Sequence, residues 1–267
     1  MTTTSRVTTL VLLTLCIATG YSQTIYHHNV FWGRIALGDK ITDRLRTEVW
    51  LQHRSQSADE SSNIFQAPQY NSYWLWFNYR VSDNLKVSLS PFGYFETYTL
   101  YTKPSDLERP PVKEFRYTVR LEHEQKFRFF NYSNRYSMEY RVRDLTNTGD
   151  YQPNWRFRYM ARLEKPIKAS WLKGKNLSLI VYDEVMLQFG KAVRHNPNVF
   201  DQNRLYAGFS YGITKNIKIT PAYLFVIQQR NSGNEFDYVN TLFVVLSFDN
   251  LISQFRKQEQ HPKSPQG

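Results

Sequence analysis

The feature that most constrains this chain is a strict alternation of apolar and charged residues, repeated segment after segment between Arg116 and Arg162. In the first segment Phe115, Tyr117, Val119 and Leu121 alternate with Arg116, Thr118, Arg120 and Glu122. In the second, Tyr136, Met138, Tyr140 and Val142 alternate with Arg135, Ser137, Glu139, Arg141 and Arg143. In the third, Trp155, Phe157, Tyr159, Ala161 and Leu163 alternate with Arg156, Arg158, Met160, Arg162 and Glu164. A period of two puts successive side chains on opposite faces of a strand. One apolar and one ionic face means that the strand meets a different solvent on each side. Coupled to an export signal, the pattern predicts an all-β fold, an antiparallel transmembrane β-barrel with lipid outside and a polar lumen inside.

The export signal is read in residues 1–22. Arg6 supplies the positive start, Val7 to Ala18 form an apolar stretch, and Gly20 and Ser22 are small residues preceding a cleavage before Gln23. The apolar stretch is short for a span, which wants about 20 residues. Cys16 is the single cysteine, so cleavage leaves neither a disulfide framework nor a thiolate metal site. Of the 34 basic residues only Arg6 is lost with it, against 23 acidic ones, and the exported chain keeps a net charge of about +10. No later segment is long and apolar enough for a helical span. The abundance of aromatics, 6 Trp, 19 Tyr and 18 Phe, suits girdles at the two bilayer interfaces.

Alternating segments are predicted near 26–37, 42–54, 70–82, 85–101, 113–125, 134–145, 154–165, 176–189, 202–213, 216–230 and 236–249. Short turns are expected at Gly38-Asp39-Lys40, Ser82-Asp83-Asn84 and Thr214-Lys215-Asn216. Longer polar loops are expected at 55–69, 102–112, 146–153 and 190–200. Short turns at one end and long loops at the other are the outer-membrane pattern. Single-chain bacterial barrels use even strand numbers, so either 26–37 lies outside the wall or one strand is hidden, and ten to twelve strands are expected. The barrel is placed at 23–249 and a polar tail at 250–267. The last strand ends in Phe248, which resembles the terminal signal read by the barrel assembly machinery. The parity of the 177–189 segment turns Asp183 toward lipid, a cost to be relieved by a bulge or by a place near the interface.

Certain of these residues also resemble a known family. They are Glu114-Phe115-Arg116, Arg135 with Glu139-Tyr140-Arg141, Arg156-Phe157-Arg158-Tyr159 through Arg162-Leu163, and Glu184 with Phe189. The run Phe200-Asp201-Gln202-Asn203-Arg204-Leu205 is the most specific. The family is a bacterial outer-membrane β-barrel family catalogued as a domain of unknown function (number 2490), and the resemblance covers roughly 42–248. It implies an outer-membrane barrel of Gram-negative bacteria and brings no established activity, so no catalytic residue is carried over.

The candidate site residues are those of the ionic face: Arg116, Arg120, Glu122, Arg135, Glu139, Arg141, Arg143, Arg156, Arg158, Arg162, Glu164, Glu184 and Arg204. Inside a narrow barrel such charges must pair or face water. Arg120, Arg141 and Arg158 are expected beside Glu122, Glu139 and Glu164 in a ladder. That ladder either plugs the barrel or, through its excess of arginine, draws small anionic solutes through it. The leading expectation is a small passive channel or a structural barrel in contact with outer-membrane lipid. The rivals are a lipid-modifying enzyme and a receptor or adhesin working through its loops. His27, His28, His53, His123, His195 and His261 are scattered with neither metal-ligand spacing nor a serine partner, so a non-enzyme without cofactor or metal is expected. The arginines are spread over strands instead of gathered on a solvent-facing patch, which argues against nucleic acid as a partner.

Overall fold

The computed structural model describes residues 23–58, 61–172 and 175–254. The predicted cleavage signal at 1–22, Ser22 included, lies outside them, as does the tail from 255 onward. Gln23 is exposed and leads directly into the first strand. The chain folds as eleven strands: β1 (Thr24–Lys40), β2 (Leu45–Gln56), β3 (Ala67–Arg80), β4 (Leu85–Thr97), β5 (Val112–Lys126), β6 (Asn131–Asp144), β7 (Tyr151–Ile167), β8 (Leu177–Phe189), β9 (Phe200–Gly212), β10 (Ile217–Gln229) and β11 (Glu235–Phe248). Each pairs with its sequence neighbours and the sheet closes on itself. No described helix is long and apolar enough to cross a membrane, which has no bearing on crossing by strands.

The odd count is resolved by the closing pair. β1 and β11 run parallel, from Thr24 opposite Glu235 to Leu37 opposite Phe248, whereas every other neighbouring pair is antiparallel. An odd number of alternating strands can close only through one parallel contact, so β1 is a wall strand, and the described residues hold no twelfth strand. The N-terminal end of β1 therefore stands at the end of the barrel that carries the longer loops. Phe248 ends β11 at the opposite end, with its side chain on the outer parity of Leu242, Val244 and Leu246.

Three tight turns at that opposite end share one chemistry. Ile41-Thr42-Asp43-Arg44, Val81-Ser82-Asp83-Asn84 and Ile213-Thr214-Lys215-Asn216 each place a hydroxyl at the second position. Thr42 Oγ1 accepts from the N–H of Leu45 at 2.9 Å, Ser82 Oγ from Asn84 at 3.4 Å, and Thr214 Oγ1 from Ile217 at 3.0 Å. These side-chain bonds replace backbone partners that a turn leaves unmade. The first of them lies beyond the expected Gly38-Asp39-Lys40, which is strand. At Gly38 the Arg46 guanidinium crosses the strand: a Cβ would stand 2.2 Å from Arg46 Nη2, and that side chain would have to move aside.

Alternation sorts the side chains as the solvents demand. Tyr117, Val119, Leu121, Tyr136, Leu163 and Val181 face outward and are exposed, and Thr118, Arg120, Ser137, Glu139, Arg158 and Glu184 on the opposite parity are buried. The interior is not uniformly ionic. Along the closing seam Val30, Trp32, Tyr206, Ala222, Leu224, Val226, Val239 and Phe243 form an apolar core inside the barrel, and Leu100 of the 98–111 loop packs against it. That loop thus folds inward across part of the mouth. Tyr70, Trp74, Trp76 and Phe95, with Trp50 beside them, make a second aromatic cluster on β2–β4.

Asp183 does face outward, and what relieves it is a neighbouring strand. Asn203 Nδ2 donates to Asp183 Oδ1 at 2.7 Å. A register shift does occur on β8, but further along, between Met186 and Leu187.

Candidate functional site in the barrel interior

Strands β5 to β9 project three glutamates into the interior, each almost fully buried: Glu114 at 2%, Glu139 at 0% and Glu184 at 2% exposure. Charges so deep persist only when paired and hydrogen-bonded, and each is clamped by arginines from its own or nearby strands, Arg135 reaching Glu184 from two strands away. Glu114 receives both Nε and Nη2 of Arg141, at 2.8 and 2.7 Å, and Nη2 of Arg116 at 2.6 Å. Arg143 approaches the same carboxylate at 3.7 Å. Glu139 receives Arg156 at 2.7 Å and Arg158 at 2.8 Å, with Arg116 at 3.6 Å. Glu184 takes Nη2 of Arg158 on both oxygens, at 2.8 and 2.7 Å, and Arg135 at 2.9 Å, with Arg204 at 3.9 Å. Arg116 and Arg158 each touch two glutamates, so the clamps join into one network. The two-oxygen, two-nitrogen contacts are the planar fork geometry in which arginine exceeds lysine.

Not every expected pair forms. Glu122 is taken by Lys86 of β4 at 2.8 Å and leaves Arg120 without a carboxylate. Glu164 pairs with Arg162 of its own strand at 2.5 Å, near the turn end and partly exposed. Arg120 instead lies 4.0 Å over the Trp76 ring. Of the expected row of Arg120, Arg141 and Arg158 against Glu122, Glu139 and Glu164, the Arg158–Glu139 pair forms at 2.8 Å, and the rest is corrected: Glu114 and Glu184 stand in place of Glu122 and Glu164 as the acceptors that the register brings within reach.

Several interior residues fall outside the sequence-based set. Glu114 shares the parity of Arg116, which signals it directly. Asp201 lies in the Phe200–Leu205 run and takes Arg156 at 3.1 Å. That run also turns Gln202 onto Arg204, whose Nη2 donates to its Oε1 at 2.7 Å, and supplies the Asn203 that covers Asp183. Arg34 of β1 and Arg54 of β2 belong to strands whose alternation is weaker. Arg54 sits 3.6 Å from the Trp32 ring centre and 3.8 Å from Tyr70, and Arg34 sits 4.7 Å from Trp50. Arg34, Arg54 and Arg120 have no carboxylate within 4.0 Å among the described residues.

The histidines serve local roles. His53 points outward onto Asn71 at 2.7 Å, and His195 meets Arg194 at 2.9 Å in the 190–199 loop. His28 is buried against Asp237 at 2.8 Å, and Arg230 holds the same carboxylate at 2.6 Å. This trio fastens β1 to β11 at the loop end of the parallel seam.

In the 98–111 loop, outside the wall, Asp106 accepts from the Thr102 hydroxyl at 2.6 Å, the Thr102 N–H at 3.0 Å and the Lys103 N–H at 3.1 Å. Burial alone pushes its carboxyl up; the Thr102 and Lys103 donors and Arg109 outweigh it and hold it below the ordinary carboxylate range.

Between the ionic network and the tryptophans lies a cavity of about 350 Å³. It reaches from Thr97 and Asn231 near the loop end to Glu122 and Arg162 toward the turn end. Eleven arginines line it against three carboxylates, Glu122, Glu184 and Asp201.

Fold and interior together define a closed β-barrel with a cationic core. The chain belongs to the family described as a protein of unknown function, DUF2490, whose model matches residues 29–237. None of the curated proteins matches. Among solved structures, the chain is similar to the β domain of the Bordetella autotransporter BrkA, at 11% identity and a TM-score of 0.41 over 70% of this chain and 78% of that one. It is similar to the NanC porin at 13% identity and a TM-score of 0.39, over 78% and 93% of the two chains. The siderophore receptor PirA from Pseudomonas aeruginosa matches at 10% identity and a TM-score of 0.30, over 72% of this chain and 34% of its own.

Proposed function

We propose that this protein is an outer-membrane β-barrel that admits small anionic solutes passively through its interior. The observation that carries the reading is the cavity lining: eleven arginines against Glu122, Glu184 and Asp201, a surplus that persists when Glu114 and Glu139, which pair with the lining arginines from behind, are added. A surplus of fixed positive charge in a narrow, low-dielectric passage lowers the barrier for anions and raises it for cations. The ionic clamps on Glu114, Glu139 and Glu184 hold the arginine side chains against the β5–β9 wall instead of leaving them to collapse across the passage. Outer-membrane lipid is the partner of the apolar exterior, residues 1–22 direct export, and the barrel assembly machinery reads the terminal Phe248. The protein needs no cofactor and performs no catalysis in this account.

The test is uptake by proteoliposomes. Small anions should enter faster than neutral sugars of similar size. Equal entry, or a barrel that folds and admits neither, would count against the reading.

A further inference from the structure

The cavity has two unlike walls. On the β5–β9 side each buried glutamate carries its arginines, so the protein supplies its own counter-charge. On the β1–β5 side Arg34, Arg54 and Arg120 have no carboxylate and rest on aromatic rings. Stacking occupies the face of a guanidinium and leaves its in-plane N–H groups to donate; Arg34 gives Nε and Nη2 to Gln52 Oε1, at 3.2 and 2.8 Å, whereas Arg54 Nε and Arg120 Nε have no partner among the described residues. Trp32 lies under Arg54 at 3.6 Å and under Arg204 at 5.2 Å, so two like charges share one indole.

The same wall is rich in donors without partners. Arg54 Nε, Arg120 Nε, Gln52 Nε2, Trp32 Nε1 and Trp74 Nε1 are buried and make no hydrogen bond among the described residues, and all five side chains line the cavity. Arginine and tryptophan nitrogens donate and never accept. Of the two unpartnered acceptors on the lining, Gln69 Oε1 belongs to an amide that presents a donor after a half-turn, and Gln229 Oε1 to one whose Nε2 already donates to the Gly233 carbonyl at 2.8 Å. Buried donors left unpaired are costly and rare in folded proteins. A group that satisfies them must bring several acceptors and negative charge at once.

We propose that Arg34, Arg54 and Arg120, with the tryptophan edges beside them, form a binding site for a multivalent oxyanion, a phosphate- or polycarboxylate-bearing small molecule. The proposal rests on the anion-admitting reading for access to the cavity, and it adds a saturable site to a passive path. Chloride offers neither the charge nor the spread of acceptors to engage three guanidinium groups together.

The experiment uses the full-length barrel refolded in detergent, with inorganic pyrophosphate and citrate as probes at constant ionic strength. Tryptophan fluorescence should change saturably with one or both, and the tighter probe identifies phosphate or carboxylate chemistry. The double variant Arg54→Gln/Arg120→Gln should bind at least tenfold more weakly. Arg54→Lys, which keeps the charge and loses the fork, should weaken binding by threefold or more and serves if the double variant does not fold. Lys126→Gln, at the turn end, should bind as the parent does. Heat-modifiable migration verifies that each variant is a folded barrel. No saturable change with either probe, or equal midpoints for parent and arginine variants, overturns the site. Bilayer conductance is measured separately, so that binding without conductance refutes the channel and keeps the site, and conductance without binding does the reverse.

Discussion

Arg158 of β7 spans two strands at once: its Nη1 donates to Glu139 at 2.8 Å and its Nη2 to Glu184 at 2.7 Å. Arg54, in the same interior, has no carboxylate and lies on Trp32. The two arginines have the same charge and similar burial, yet their removal should have opposite consequences. Arg158→Gln removes the clamp shared by two buried glutamates, leaving Glu139 to Arg156 and Arg116 and Glu184 to Arg135 and Arg204, and should cost about 3 kcal/mol of barrel stability. Arg54→Gln removes a charge that only like charges surround, giving up a cation–π contact of roughly 0.5–2 kcal/mol while relieving repulsion. Its stability should stay within about 1 kcal/mol of the parent. Urea unfolding in lipid, followed by tryptophan emission, measures both; equal losses would mean that the clamps do not carry the wall.

Gly208 is a place where nothing can grow. A Cβ there would stand 2.5 Å from Ala222 Cβ and 2.8 Å from the Pro221 carbonyl oxygen. Gly208→Val should therefore separate β9 from β10 and reduce the yield of folded barrel, at a cost of about 1–3 kcal/mol. A bulky side chain at this position tests assembly, not conduction. Wild-type folding yield for the valine variant, read by heat-modifiable migration, would show that the seam has slack.

Asp183 and Asn203 form a polar pair on the outer face of the barrel. Asn203→Leu leaves a carboxylate uncovered and should destabilise by about 1–3 kcal/mol. The double variant Asp183→Leu/Asn203→Leu replaces both partners by apolar groups and should recover that loss or exceed the parent by about 1 kcal/mol. A double-mutant cycle in lipid separates these outcomes, and additive effects would show that the pair does not interact.

How much of this was legible beforehand depends on what each strand faces. The faces of strands β5 to β7 are read almost residue by residue, because apolar side chains on one side and charge on the other enforce the period. The parallel closure is not legible: whether β1 pairs with β11 depends on register across the whole chain, and the parity of alternation is silent on it. In the interior, parity correctly groups Glu139, Arg156 and Arg158 on one face but cannot say which arginine reaches which glutamate. That is set by strand stagger, which brings Arg158 to Glu184 across to β8 and sends Glu122 to Lys86 on β4. Arg34 and Arg54 escape notice because aromatic and amide neighbours, Trp32, Trp50 and Gln52, blur the charge pattern of β1 and β2.

Asp106 gathers the Thr102 and Lys103 donors and Arg109 about one carboxylate and so ties the turn at 102–109 of the 98–111 loop. Its folded pKa is depressed, so its contribution is present above the unfolded carboxylate range and is lost as pH falls through the folded value. The loop should be protease-resistant at neutral pH and loosen only in acid. Asp106→Asn should be loose at neutral pH already, and limited proteolysis across pH compares the two. Equal resistance of parent and variant at pH 7 would remove Asp106 as the lock.

The central claim is that uncompensated arginine makes the interior selective for anions. Single-channel recording in planar bilayers under a potassium chloride gradient tests it most directly. The parent should show discrete steps with a reversal potential on the anion side, shifted toward zero by Arg54→Gln/Arg120→Gln in barrels that remain folded. A folded parent that conducts without anion preference, or whose preference survives loss of both arginines, would contradict the account.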